Sequence, residues 1–305
     1  MKWQNTKCES TMIKIQMIAI MMVLFFSCNL SAQNNQYADQ EECKNRSGIE
    51  YGGIAGFYIP GNGTAGFYSG KPENENSANY IMKNKYWYED IYRLTGAYDT
   101  VFIREYPGRM RYNPAFSFGL FVKYDIDCRK GFYLQFHYVK LTAKDIITFE
   151  VDPPIDYLAE PDIRHYPVIG IEERNMMDLG FTYALGNNPA SRLILGGGIN
   201  MNNTLVKESV LRIEDKPFNM VNIYSGGQTY VPGAALQSYE MRQGGIGFGI
   251  FGTIGGRFEF SQAIAIEPGI AVYYKQINLE SYSGFYPQFN FFVKLCFRDL
   301  VSFQQ

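Results

Sequence analysis

The sequence has little charge and lacks a second long apolar run. Charged residues make up 19% of the 305 residues and the net charge is −2, so no basic surface points to nucleic acid as a partner. Beyond the N-terminal region no stretch of about 18 apolar residues occurs, which excludes a further transmembrane helix. The 30 glycines argue against long helices. No metal or cofactor is expected, because neither the cysteines and histidines nor the glycines have the spacing of such a site.

The N-terminus has the pattern of an export signal. Three lysines precede the apolar run 17–26: Lys2, Lys7 and Lys14. A small residue, Ala32, closes the segment, so we expect a signal peptide at 1–32, cleaved near Ala32, followed by a periplasmic tail at 33–46. Two alternatives stay open: an uncleaved anchor helix, and a lipid attached to Cys28.

Aromatic residues are abundant, and they alternate with small or polar ones. Phe and Tyr account for 23 and 24 residues, which favours β-strands. In the segment 288–297, every second residue is apolar, from Phe289 to Phe297, whereas Gln288, Asn290 and Lys294 lie on the other face. The same alternation predicts eight strands, at about 49–59, 115–127, 132–139, 177–185, 193–202, 247–260, 264–275 and 288–297.

The connections between these strands are alternately long and short. The segments 60–112, 143–173 and 204–243 read as long loops, whereas 128–131, 187–191 and 261–263 are tight turns. Within 60–112, residues 98–105 are expected to extend as a strand beyond the membrane. An even strand number with short turns on one side is typical of bacterial outer-membrane barrels.

The sequence therefore predicts an all-β fold: an eight-stranded antiparallel up-and-down transmembrane β-barrel over 47–298, with long extracellular loops and a periplasmic tail at 299–305. The alternative is a soluble β-sandwich or lipocalin-like barrel. Its outward face would carry many Lys and Glu, whereas here the second face is mostly Gly, Ala, Ser and Thr.

Four segments resemble the small outer-membrane β-barrel proteins of Bacteroidetes, the PorT-like group: Ser31-Ala32-Gln33, Tyr51-Gly-Gly-Ile-Ala-Gly-Phe57, Leu195-Gly-Gly-Gly-Ile-Asn200 and Phe291-Phe-Val-Lys-Leu-Cys-Phe297. The resemblance implies eight strands and an outer-membrane location, and it implies a relation to protein secretion for a few members. Residues 298–305 depart from the plain terminal aromatic of such barrels. No functional residue is carried over.

Nine charged residues fall on the inward face of the predicted barrel: Glu50, Lys123, Asp125, Asp178, Arg257, Glu259, Glu267, Lys275 and Lys294. The short turn 261–263 sets Phe260 opposite Ile264, which places Arg257 opposite Glu267 and predicts an ion pair. Lys294 and Glu50 are a second candidate pair. Buried charges must pair or be solvated, so the set is either a salt-bridge plug or an ion pathway.

Few residues could carry catalysis. His137 is expected to face inward beside Gln135 with no evident serine partner, which argues against a lipid-modifying enzyme. After signal cleavage three cysteines remain, and Cys43 and Cys128 are placed at the same rim, where a disulfide can form. Cys296 is expected to face inward.

The loops are the better candidates for binding. The segment 60–112 carries Tyr86, Trp87, Tyr88 and Arg104, which are residue types favoured in binding hot spots. Alternatively these aromatics pack on one another or touch lipopolysaccharide. We therefore expect a monomeric, non-enzymatic scaffold or a surface binding or secretion-accessory protein, with outer-membrane lipid, lipopolysaccharide and envelope or secretion proteins as partners. The alternative is a small pore or a lipid-modifying enzyme.

Overall fold

The computed structural model describes residues 48–74, 76–97, 100–152, 162–186, 191–220, 243–261, 263–279 and 282–298. The predicted signal peptide, both tails, Cys28 and Cys43 lie outside these residues. The strands are β1 (Gly48–Ile59), β2 (Val101–Glu105), β3 (Ala115–Asp125), β4 (Lys130–Val151), β5 (Asp162–Leu185), β6 (Ser191–Ile213), β7 (Lys216–Asn219), β8 (Ile246–Glu259), β9 (Ile264–Ile277) and β10 (Gly284–Arg298). A 3-10 helix (Asn62–Tyr68) and two helices, α1 (Ala78–Lys83) and α2 (Lys85–Thr95), separate β1 from β2. None of the helices in the described ranges is long and apolar enough to cross a membrane.

Eight of the strands close into a ring. The order is β4-β3-β1-β10-β9-β8-β6-β5, and β5 pairs back onto β4, with every neighbour antiparallel. The first and last strands meet along a seam that runs from the Glu50–Arg298 pair to the Ile59–Phe289 pair. The prediction of an eight-stranded antiparallel barrel is confirmed.

A belt of exposed apolar side chains surrounds the ring. Phe116 is 80% exposed and Leu120 is 69% exposed, whereas Phe121, on the other face of the same strand, is 3% exposed. The belt includes Phe116, Phe118, Leu120, Val122 and Tyr124 of β3, Phe132, Leu134 and Phe136 of β4, Phe248, Ile250 and Ile254 of β8, and Phe289, Phe291, Val293 and Leu295 of β10. At 11 residues, β3 has the length that a tilted strand needs to cross a hydrocarbon layer.

Beyond one edge of the belt, the polarity of the two faces inverts. In β4 the inward residues Gln135 and His137 are polar and Phe136 faces outward, but from Val139 onward the inward residues are Leu141, Ala143 and Ile147, all fully buried. Most outward positions there are polar, such as Lys140, Thr142 and Lys144, whereas Ile146 is an exposed apolar exception. Inward and outward side chains keep alternating along the strand through this change. The barrel, which is apolar outside and polar inside, therefore continues as a sheet whose inner face is apolar.

The predicted loops 143–173 and 204–243 are therefore wrong over much of their length. Most of 143–173 belongs to β4 and β5, which pair without interruption from Lys130–Tyr183 to Val151–Asp162. Residues up to Ile213 belong to β6, and β7 pairs with its end. When only the apolar residues of the outward face are followed along the sequence, the inversion of polarity resembles the end of a strand.

The segment 60–112 is not a loop either. The described residues of 60–112, which include the 3-10 helix, α1, α2 and β2, form a folded unit over the open end of the ring, and we call this unit the cap. The strand expected at 98–105 is present as β2, which pairs with the far end of β4. The cap and the inner faces of the extended strands share one core, which includes Phe67, Tyr68, Ile81, Ile91, Leu141, Ile147, Phe149, Val168, Leu211 and Phe218.

Candidate functional site

The inward face of the barrel holds three layers of charged and polar side chains. We name them by position: the lower layer near the chain termini, the middle layer, and the upper layer beneath the cap. Strand periodicity brings side chains from opposite walls together, because only alternate residues point inward. Of the nine predicted inward charges, eight are at most 8% exposed, and Glu259 is half-buried.

The lower layer is centred on Arg257. Its Nη1 and Nη2 donate to the two carboxylate oxygens of Glu50 at 2.9 and 2.6 Å, and its Nε donates to Glu259 at 3.1 Å. Glu267 Oε2 lies 3.9 Å from Arg257 Nη1, in the place that the turn 261–263 predicts. A bidentate guanidinium–carboxylate pair is among the strongest hydrogen-bonded ion pairs. Glu50 rather than Glu267 is therefore the main partner of this arginine.

Four further charges complete the lower layer. Lys294 does not take Glu50 as its partner: its Nζ lies 3.9 Å from Glu267 and 4.7 Å from the Tyr133 ring centre. Asp125 receives Lys123 Nζ at 2.9 Å and Arg298 Nη2 at 2.8 Å. Arg298 follows the predicted final strand residue and was not among the predicted site residues, although continuing the alternation of β10 by two residues from Cys296 gives its position.

The middle layer is built on Asp178. Its Oδ2 accepts from Tyr273 Oη at 2.9 Å and from Gln135 Nε2 at 3.3 Å, and it lies 3.0 Å from His137 Nε2. His137 Nδ1 faces Gln135 Nε2 at 3.3 Å, so a neutral imidazole with its proton on Nε2 satisfies both contacts. Asn200 donates to the other carboxylate oxygen. Each neighbour thus fixes the carboxylate rather than leaving it open to a substrate.

Lys275 reaches the same layer, and within the described part of the chain no carboxylate forms an ion pair with it. Its Nζ lies 4.6 Å from the Tyr273 ring centre and 5.3 Å from that of Tyr58, and it is 2.6 Å from Met176 Sδ. The two ring faces attract the cation electrostatically. This lysine is fully buried.

The upper layer was missed from the sequence. Glu172 and Arg174, both fully buried, pair at 2.5 Å on β5. Glu172 lies in the predicted loop 143–173, and Arg174 lies between that loop and the predicted strand 177–185. Arg174 also donates to Gln288 of β10 at 3.1 Å and to Thr64 of the cap at 3.4 Å. Continuing the β5 alternation from Asp178 to lower numbers would have found both residues.

The cap closes onto this upper pair. Tyr68 and Tyr112 donate to Glu172 Oε2 at 2.7 and 2.9 Å. Burial, followed by the negative charge of Glu172, raises the pKa of both hydroxyls well above the ordinary value. Both tyrosines therefore stay protonated donors, and the cap is tied to the barrel wall by charge-assisted hydrogen bonds.

The charges of the three layers balance. Six are basic (Lys123, Arg174, Arg257, Lys275, Lys294 and Arg298) and six are acidic (Glu50, Asp125, Asp178, Glu172, Glu259 and Glu267). An eight-stranded barrel has room inside for little more than side chains. Chemically, this arrangement resists passage and holds the walls together, which favours the salt-bridge plug over the ion pathway.

The predicted loop residues divide between packing and exposure. Trp87 packs edge-on against Phe218 at 6.0 Å and Tyr80 at 5.7 Å, so it belongs to the cap core. Tyr88 is 45% exposed and stacks with Tyr92 at 4.1 Å. Arg104 is exposed and lies 3.4 Å from Glu150. Tyr86 lies in α2, and its side chain is outside the described part.

Cys128 and Cys296 lie at the end of the barrel where β1 begins and β10 ends. Cys128 is disulfide-bonded, but Cys43 lies outside the described residues, so the pairing of these two stays a prediction. Cys296 is free, faces inward and is 1% exposed. Within the described ranges no cluster of His, Cys, Asp and Glu could hold a metal ion.

No family model and no curated protein matches this sequence. Among solved structures, the chain is similar to Neisserial surface protein A, with 6% identity, a TM-score of 0.38, and coverage of 82% of this chain and 96% of that one. It is similar to OprG of Pseudomonas aeruginosa, with 11% identity, a TM-score of 0.37, and coverage of 85% and 98%. It is also similar to Ail of Yersinia pestis, solved with the heparin analogue sucrose octasulfate, with 9% identity, a TM-score of 0.31, and coverage of 83% and 96%. Likenesses of this size establish no shared activity.

Proposed function

We propose that this protein is a non-enzymatic outer-membrane barrel that holds a folded cap at the cell surface as a binding or secretion-accessory scaffold. The observation that carries the proposal is the inversion of polarity after Val139. Below it the outer face is apolar and suits lipid. Above it the outward positions of β4 are mostly polar, with Ile146 as the exposed apolar exception, and this face suits water. About half of the length of β4 and of β5 extends beyond the belt, and this part of the barrel wall supports the cap.

A scaffold role is favoured over a pore by the filled lumen. Opposite walls are joined by Arg257–Glu50 and by Arg174–Gln288, and the cap covers the upper end. An enzyme is disfavoured because His137 is 4% exposed and faces Asp178, Gln135 and Tyr273 inside the barrel, away from lipid. The export signal and the four motif segments favour secretion to the outer membrane and membership of the PorT-like group.

The orientation is tested by cysteine labelling of intact cells. In Lys83→Cys the new thiol lies on the exposed surface of the cap, and in Ser261→Cys it lies at the exposed turn near the termini. A membrane-impermeant maleimide should label Lys83→Cys in intact cells and Ser261→Cys only after the outer membrane is disrupted. Equal labelling of the two variants in intact cells, or the reverse order, would contradict the proposal.

The closed lumen is tested by planar-bilayer recording. The purified protein should give no steady channel, in a bilayer where a known porin serves as the positive control. A steady, large conductance would favour the small pore instead. The labelling experiment tests the orientation, and the conductance experiment tests the closed lumen. A protein with a surface-exposed cap and an open lumen would therefore pass the first test and fail the second.

A further inference from the structure

Three cations without ion-pair partners lie together on the outer surface of the sheet, directly above the apolar belt. They are Lys140 and Lys144 of β4 and Arg111 of the cap, and all three are exposed. Among the described residues, no carboxylate forms an ion pair with any of them. We call these three residues the basic edge.

The strand register brings the basic edge together. Tyr112 forms an antiparallel bridge with Ala143, and both residues are buried. In an antiparallel pair the neighbouring residues Arg111 and Lys144 therefore also lie opposite each other, and both are exposed. Asn113 N donates to Thr142 O at 2.9 Å and holds this edge in register. Lys140 and Lys144 are about 13 Å apart along β4, so the patch is wide enough to contact more than one phosphate.

The basic edge continues the lipid-facing aromatic row. Val139 pairs with Ser117, so one step on Lys140 lies beside Phe116, the most exposed large apolar side chain of the barrel at 80%. Phe116 packs edge-on against Phe57 at 5.7 Å, and Phe118 contacts Tyr138 at 5.2 Å. Aromatic girdles of this kind mark the headgroup level of a membrane.

The neighbouring acidic group is already engaged. Glu173 lies across from Lys140 in the β4–β5 register, and its Oε2 takes Lys207 Nζ at 3.2 Å. Because Glu173 is paired with Lys207, no ion pair of the described residues offsets the three positive charges of the basic edge. Such a surface at headgroup level attracts anionic lipid.

We infer that the basic edge binds the phosphate groups of a saccharide lipid in the outer leaflet, with Lys140, Lys144 and Arg111 as the contacting residues. Ammonium and guanidinium groups both bind phosphate oxygens, and the arginine does so with a planar fork of donors. The neighbouring ring of Phe116 lies where the acyl chains of the same lipid begin. This inference rests on the proposed outer-membrane location.

The test compares the wild-type protein with the triple variant Lys140→Gln, Lys144→Gln, Arg111→Gln in nanodiscs. One set of discs contains lipid A with both phosphates and the other contains dephosphorylated lipid A, in the same uncharged phospholipid. The bound lipid A that stays with the protein after detergent exchange is measured. For the phosphorylated lipid we expect at least about a tenfold loss of retention in the triple variant, because each basic group near an anionic surface contributes about fivefold.

The matched control is the triple variant Lys71→Gln, Lys83→Gln, Arg104→Gln, which removes the same charge from the cap and from the far end of the sheet. It should retain lipid A like the wild type. Equal retention of both lipids by the wild type, or equal retention of phosphorylated lipid A by the two triple variants, would overturn the inference. Heat-modifiable migration is recorded for each sample, so a chain that does not insert at all counts against the proposed function instead.

Discussion

At the scale of single residues, the upper ion pair joins the cap to the barrel. Glu172 accepts hydrogen bonds from Arg174 and from the two cap tyrosines, and all four residues are buried. A buried carboxylate whose cationic partner is removed keeps its desolvation penalty without compensation. Arg174 is therefore more important for stability than the more numerous surface charges.

Replacing Arg174 by Met should lower the free energy of unfolding by about 3–5 kcal/mol, because Glu172 is left as an unpaired buried charge. Urea unfolding in lipid vesicles measures this change. Arg164→Met is the matched control: its partner Asp162 is exposed, so the loss should stay below about 1 kcal/mol. If the two variants unfold at the same urea concentration, the upper pair does not hold the cap.

The partner variant separates charge from packing. Glu172→Gln in the Arg174→Met background removes the unpaired charge but keeps an acceptor for Tyr68 and Tyr112, so part of the lost stability should return. A double variant no more stable than Arg174→Met would show that the loss came from packing alone.

At the scale of elements, the eight membrane strands could be predicted from the sequence, and their extensions could not. Alternation of apolar and polar residues identifies a strand only while the same face stays apolar. After Val139 the inner face of β4 becomes the apolar one, so the run of outward apolar residues ends there although the strand continues. The cap helices were missed because of their length. α1 and α2 span 6 and 11 residues, and helices this short are stabilised mainly by packing against the rest of the protein.

Most residues of the lower charge layer were predicted from the sequence, although Arg298 and the main partner of Arg257 were not, and the upper layer was not predicted. A tight turn fixes the register of β8 against β9, which is enough to bring Arg257 near Glu267. The closer partner, Glu50, comes from β1, which is not adjacent to β8 in the ring. Contacts across the lumen depend on barrel closure and shear, which no local pattern reports.

One glycine on β5 positions the 3-10 helix of the cap. A Cβ built on Gly170 would lie 2.1 Å from the ring of Tyr68, so this side chain rests directly on the bare backbone. Gly170→Ala should displace Tyr68 at a cost of about 1–3 kcal/mol. The expected result is faster protease cleavage within 62–112 with unchanged heat-modifiable migration of the barrel.

The control for this variant is Gly53→Ala, where an added Cβ meets nothing within 4 Å. Its cleavage rate should match that of the wild type. Cap cleavage that is no faster in Gly170→Ala than in Gly53→Ala would mean that the ring of Tyr68 does not seat the cap.

At the scale of the whole molecule, two solvents act on one continuous sheet. In the belt the exposed side chains are apolar and the charged ones are enclosed. Beyond it most exposed side chains are polar, apart from a few such as Ile146, and an apolar core is enclosed. The same strands thus form a membrane anchor and the wall of a soluble-type core.

The central claim is that the apolar belt contacts lipid and the opposite face does not. Leu120 and Phe121 are consecutive on β3, at 69% and 3% exposure. Single tryptophans at these positions, in a Trp87→Phe background of the processed chain, are reconstituted in vesicles whose acyl chains carry bromine. The account predicts strong quenching of the fluorescence of Leu120→Trp and little quenching of Phe121→Trp, with both variants folded by heat-modifiable migration. Equal quenching of the two, or stronger quenching at position 121, would contradict it.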